Sequence, residues 1–415
     1  MNANKKVNPL TLPIPFYLQM ASFHYLSSAF AFAHVKHGLP NWNPNCVHAN
    51  ETIKQFAASP LGKLLEPLAN VNNAEPILVQ EGLKRFEQFL LGLKIYLEAP
   101  LTLNTPSERI LWREGTTVMR NYGKGKTGDK PLVLFVPSLI NRANILDLIA
   151  GYSMLDFMGE HDTHPVLLDW QSPGETEAAF SLDEYVARIA RAVTVLHDEY
   201  DKPVILAGYC MGGLLSLATA QLFPARIQGL ALLATPWDFI APDVARTAFS
   251  PAGAEQIASL FASAPLVPNS LLYTIFYSLN PWGLHDKFRR LASLDTHDPV
   301  REVLLARELW ANTGIDLPRK VAHTTFVDWA CYNSTYHGNW MVAGEAINPA
   351  LLTLPAFCAI PKHDPIVPPK CAEPLAALLP RVHKVSCISG HVGMIAGKNA
   401  RRDLWIPLAN WAHSL

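Results

Sequence analysis

From about Ile110 onward, short and nearly unbroken apolar runs alternate with segments that carry apolar residues at helical spacing. Pro131–Pro137 (PLVLFVP), His164–Trp170 (HPVLLDW), Pro203–Gly208 (PVILAG) and Ile227–Pro236 (IQGLALLATP) have the length and composition of strands buried on both faces. Asn144–Met158, Leu182–Tyr200 and Gly212–Phe223 lie between them as predicted helices. Leu352–Ile360 and Arg381–Ile388 resume the strand pattern near the end. Such alternation predicts an α/β domain with a mostly parallel sheet covered by helices. The stretch 238–350, rich in Trp, Phe, Pro and Leu without clear strands, reads as a cap inserted over the strand C-termini. Residues 1–105 read as a helical N-terminal region, with Ile53–Leu68 and Ile77–Glu98 as helices, and residues 106–415 as the catalytic domain.

Composition narrows the class. The 415 residues hold 34 Lys+Arg against 35 Asp+Glu, and only 17% are charged against 49% apolar. That balance excludes a disordered chain and a nucleic-acid partner, which needs a strong basic field. The six cysteines form no CxxC pair, so neither a zinc site nor a disulfide scaffold is indicated, and a cytoplasmic location is expected. No secretory signal is expected at the N-terminus. Val7–Val35 has no Asp, Glu, Lys or Arg, but Gln19, Ser22, His24, Ser27, Ser28 and His34 interrupt it. It reads as a buried or docking helix, with contact to a lipid or polymer surface and, behind that, a true membrane span as the alternatives to weigh.

The chemistry concentrates in three loops. Gly208-Tyr209-Cys210-Met211-Gly212 joins an apolar strand to an apolar helix, the setting of a nucleophile elbow with cysteine in place of serine. The glycines allow a turn in which flanking side chains would clash, and the helix start favours negative charge on Cys210. A nucleophile needs a base and an orienting acid, which in this architecture follow in the order acid, then histidine. Asp364 follows one late strand and His391 the next, so both loops open at the sheet edge that carries the elbow. His363 is the rival base, but it precedes the last strand. The other cysteines read as ordinary buried residues. Oxyanion donors are expected from the Met211 N–H and from one of Ser138, Leu139 and Ile140, with Leu139 put forward. Gly123–Gly128 does not run from strand into helix as a phosphate loop would, so it reads as a hairpin turn. Lys287, Arg289 and Arg290 read as a solvated basic face, and no metal cluster is visible.

These motifs resemble the polyhydroxyalkanoate synthases of the PhaC type. The likeness is carried by FVPSLINRANILDL, LLDWQSPG, SLDEYV, LAGYCMGG and LLATPWDF, and by PKHDPIVP and SGHVGMIAG further on. It implies a divergent member with an α/β-hydrolase fold and a 3-hydroxyacyl-CoA substrate. Cys210 would be the acylated nucleophile, His391 its base and Asp364 the acid partner, with no cofactor beyond the CoA thioester. The implied partners are a polyester product, a granule surface met through residues 7–35, and a homodimer or partner subunit. A depolymerase or acyl-CoA thioesterase with the same three residues is the alternative.

Overall fold

The computed structural model describes residues 18–25, 74–240, 249–279 and 281–415; Ile53–Leu68, Cys46 and all of Val7–Val35 except 18–25 lie outside the described residues. The described residues fall into two compact units. One comprises 100–281 and 297–415, the other 18–25, 74–99 and 282–296.

The first unit is built on an eight-stranded sheet in the order β1-β2-β4-β3-β5-β6-β7-β8. Its strands are β1 (Ile110–Glu114), β2 (Thr117–Asn121), β3 (Leu132–Val136), β4 (His164–Asp169), β5 (Val204–Tyr209), β6 (Ile227–Leu233), β7 (Ala356–Pro361) and β8 (Val382–Cys387). β2 pairs antiparallel with β1 and β4, and the remaining pairs are parallel. Every residue of β3, β4 and β5 is buried, which explains their unbroken apolar text. Each fully buried Leu or Val in these strands contributes about 1.5–3 kcal/mol of burial. The helix Leu182–Tyr200 starts at a capping box, in which the Glu184 carboxylate accepts the Ser181 N–H at 2.7 Å. It stops at Asp201, whose φ of 51° is left-handed.

Two expectations need correction. Asn144–Met158 is not one helix: a single turn, Ala143–Leu146, is followed by an Asp147–Ser153 bridge and then by the helix Met154–Glu160. Asp147 is drawn out of helical geometry because its carboxylate accepts Tyr122 Oη at 2.9 Å and Asn104 Nδ2 at 2.7 Å. Ser153 then caps a new start, accepting the Asp156 N–H at 3.0 Å. Gly123–Gly128 is not a hairpin turn either. β2 pairs with β4, and β3 lies beyond β4, so the loop is a crossover. The hairpin lies between β1 and β2, at Gly115 with its φ of 54°.

Within 238–350 the first unit contains helices Ala254–Phe261, Asn269–Leu279 and Pro299–Ala311 and two short two-stranded ladders. Phe249, Phe261 and Phe276 surround Phe326 at ring distances of 6.1, 5.7 and 5.9 Å, so much of this aromatic content is its own core. In the second unit, helix Ala74–Glu98 packs Gly92 so closely on the Phe288 carbonyl that no Cβ would fit. Tyr25, Phe89, His285 and Phe288 are buried there, whereas Phe23 is 73% exposed. Burial, then His24, lowers the His285 pKa to about 4. Arg289 reaches Asp286 at 3.4 Å, so that basic group is partly internally paired. Among the described residues no helix is long and apolar enough to cross a membrane.

His164, at the start of β4, supplies a pH prediction. Burial, and then Arg109, Lys130 and Lys202, lower its pKa to about 4. Its Nδ1 meets Thr127 Oγ1 at 3.1 Å and its ring lies 4.8 Å from Tyr200. The unfolded chain takes up a proton near pH 6.5 that the folded ring refuses. Its contribution is therefore intact above about 6.5 and lost as pH falls toward 4. Chemical denaturation should show wild type losing about 1–3 kcal/mol more than His164→Gln between pH 7 and 4.5. Parallel losses in the two proteins would contradict it.

Candidate active site

Cys210 sits between β5 and the helix Met211–Leu222 with φ 55° and ψ −123°. This backbone conformation costs on the order of 1–3 kcal/mol and persists only where the surroundings impose it. They do so closely. A Cβ on Gly208 would run into the backbone of Gly212 and Gly213, and one on Gly212 into the carbonyls of Val136 and Pro137. The Cys210 N–H donates to the Leu233 carbonyl at 2.8 Å, tying the turn to the end of β6. Cys210 remains half-buried, whereas Cys331, Cys358, Cys371 and Cys387 are buried. Burial pushes the thiols of Cys358, Cys371 and Cys387 up to about 12, which keeps them in the inert thiol form.

The loops after β7 and β8 are laced together by their backbones. Lys362 N donates to Cys387 O at 2.8 Å and His363 N to Ser389 O at 3.2 Å. Gly390 packs against the His363 carbonyl, where a Cβ would come within 2.8 Å. This lacing brings His391 Nδ1 to Asp364 Oδ2 at 2.6 Å, with the Asp364 side chain fully buried and that of His391 7% exposed. The other Asp364 oxygen accepts the Ile366 and Val367 N–H groups at 2.8 and 2.9 Å. The carboxylate is thus fixed from both sides, and His391, not the exposed His363, is its histidine.

Cys210 lies close enough to His391 to act on its imidazole electrostatically. Burial pulls the imidazole pKa down. The charges of Asp364 and Cys210 and the hydrogen bond to Asp364 outweigh it and hold the pKa well above the usual value. The imidazole therefore favours its protonated form. Sequence reasoning missed Tyr209, the residue between Gly208 and Cys210. Its hydroxyl donates to the His391 carbonyl at 3.2 Å, and its ring lies 5.1 Å from the imidazole. Burial, and then Cys210 and Asp364, hold its pKa well above the usual tyrosine value, so it stays a neutral donor. An aromatic hydroxyl at the variable position of the elbow was the available signal.

Of the three loop amides after β3, Ile140 N–H is taken up by Ser138 Oγ at 3.2 Å. Among the described residues the Ser138, Leu139 and Met211 N–H groups donate to no protein acceptor. No group of His, Cys, Asp or Glu among the described residues could hold a metal ion.

The sheet order, the strained turn after β5 and the acid and histidine after β7 and β8 define a class, and a family model described as alpha/beta hydrolase fold matches residues 131–395. The chain belongs to the α/β-hydrolase family. Within it, the chain is similar to curated relatives named PhaC, all at under 30% identity. It is 28% identical over 316 residues to the poly(3-hydroxyalkanoate) polymerase subunit PhaC of Haloferax mediterranei, covering 74% of this chain and 63% of that one. It is 25% identical over 345 residues to the protein of the same name from Allochromatium vinosum, covering 80% and 96%. Among solved structures, the monoacylglycerol lipase of Paleococcus ferrophilus aligns with a TM-score of 0.46 and 16% identity over 72% of this chain and 98% of that one.

Proposed function

We propose that this protein is a polyhydroxyalkanoate synthase-like acyltransferase that loads a 3-hydroxyacyl group from CoA onto Cys210. The observation that carries the proposal is a half-buried cysteine on a strained turn, close enough to act electrostatically on a histidine that a buried carboxylate holds at 2.6 Å. The likeness to proteins named PhaC supplies the substrate class.

In this reading Cys210 Sγ gives its proton to His391 Nε2 and adds to the thioester carbonyl. The oxyanion is met by the Met211 and Leu139 N–H groups. The C–S bond to CoA breaks, the imidazolium proton goes to the departing sulfur, and acyl-Cys210 remains. The hydroxyl of a second 3-hydroxyacyl unit then gives its proton to His391 and attacks the acyl-Cys210 carbonyl. An ester forms and the Cys210 sulfur is released. Asp364 holds Nδ1–H toward itself and leaves Nε2 to accept, as an orienting acid must. No cofactor beyond the CoA thioester is required, and granule contact through residues 7–35 belongs to the same reading.

Purified protein given 3-hydroxybutyryl-CoA should release CoA and yield ester-linked products longer than one unit, read by mass spectrometry. Stoichiometric free 3-hydroxybutyrate without oligomer would instead identify a thioesterase using the same residues. Absence of CoA release would remove both readings.

A further inference from the structure

We infer that Trp310 and Arg142 are positioning residues that clamp the oxyanion loop after β3 against the segment 310–315, an inference that rests on the acyl-transfer reading above. The loop 137–143 must hold Leu139 N–H in one place for it to act with Met211, and nothing within the loop does so alone. Its first carbonyl, Pro137 O, accepts the Trp170 indole N–H at 3.0 Å. Its far end is gripped by a different part of the chain. The Trp310 indole N–H, on a side chain only 4% exposed, donates to the Arg142 carbonyl at 2.7 Å. Arg142 Nε returns a bond to the Thr313 carbonyl at 3.0 Å. Ile315 N–H reaches the Ile140 carbonyl at 3.4 Å.

The partners are complementary in kind. Two of the three bonds use loop carbonyls as acceptors, and none of the three consumes the Leu139 N–H. The segment 310–315 is itself rigid, because Thr313 folds back with its N–H and Oγ1 both 3.1 Å from the Trp310 carbonyl. Gly314 leaves no room for a Cβ beside the Asn141 and Asn269 amides. A loop pinned at both ends offers a preorganised donor, and one such donor is worth roughly 10²–10³ in kcat.

The test pairs Trp310→Phe, which keeps the ring and loses the donor, with Arg142→Met from the other side of the clamp. With 3-hydroxybutyryl-CoA, each should lower kcat for CoA release about 10–100-fold while KM changes less than about threefold. The double variant should be less than multiplicative. Iodoacetamide should alkylate Cys210 at the wild-type rate, since that reaction needs the thiol and His391 but no oxyanion donor. Amide hydrogen exchange at 138–143 should accelerate in both variants, with 204–212 unchanged. Wild-type kcat or wild-type exchange at 138–143 in both variants would overturn the clamp. So would slower alkylation in step with kcat, which marks a general loss of structure. A wild type that releases no CoA would sink the acyl-transfer reading instead, and the exchange comparison would still decide whether the clamp exists.

Discussion

Replacing Cys210 by alanine should reduce CoA release from 3-hydroxybutyryl-CoA by at least roughly 10³-fold, to the background of the uncatalysed reaction. The size of the effect follows from covalent catalysis. Without sulfur there is no acyl-enzyme, and His391 has no proton to take from the position it addresses. The fold should survive, because the strain at φ 55° belongs to the turn and alanine carries the same Cβ. The melting temperature should stay within a few degrees. Intact-mass measurement should find an acyl adduct on wild type and none on Cys210→Ala. A variant that retained turnover would remove the cysteine mechanism entirely.

The second large effect is expected at Asp364→Asn. The side chain keeps its size and one acceptor, so Oδ1 can still receive Ile366 and Val367 N–H. The group facing His391 Nδ1 loses its charge and no longer dictates which nitrogen carries the proton. The same exchange in the Ser-His-Asp triad of serine proteases costs about 10⁴ in kcat, and a loss of about 10²–10⁴ is expected here. The His391 pKa should fall at the same time, because burial lowers it and the opposing charge is gone. NMR titration of the imidazole in the two proteins would read that shift directly. An unchanged titration with lost activity would place Asp364 in a structural role only.

The parallel core was legible because β3, β4 and β5 are buried along their whole length, and strands of that kind write themselves as continuous apolar runs. The elbow and the two late loops were legible for a different reason. Glycine, cysteine, aspartate and histidine stood at the ends of such runs, where only one sheet edge was available to them. What escaped was set by contacts distant in sequence. Asp147 breaks its helix because Tyr122 and Asn104 reach it from other elements. The crossover at 123–128 depends on strand order, which local text does not carry. Tyr209 and Trp310 act through bonds to the His391 and Arg142 carbonyls, 182 and 168 residues away along the chain.

The lacing of the loops after β7 and β8 has a consequence for variation at the site. The bonds that join them run between main-chain atoms of Lys362, Cys387, His363 and Ser389. The separation between acid and imidazole is accordingly indifferent to most side chains in those loops. Lys362 and His363, exposed on the outer surface of this join, can be diversified in a library without displacing the carboxylate and imidazole beneath them. Gly390 cannot, because a Cβ there would come within 2.8 Å of the His363 carbonyl.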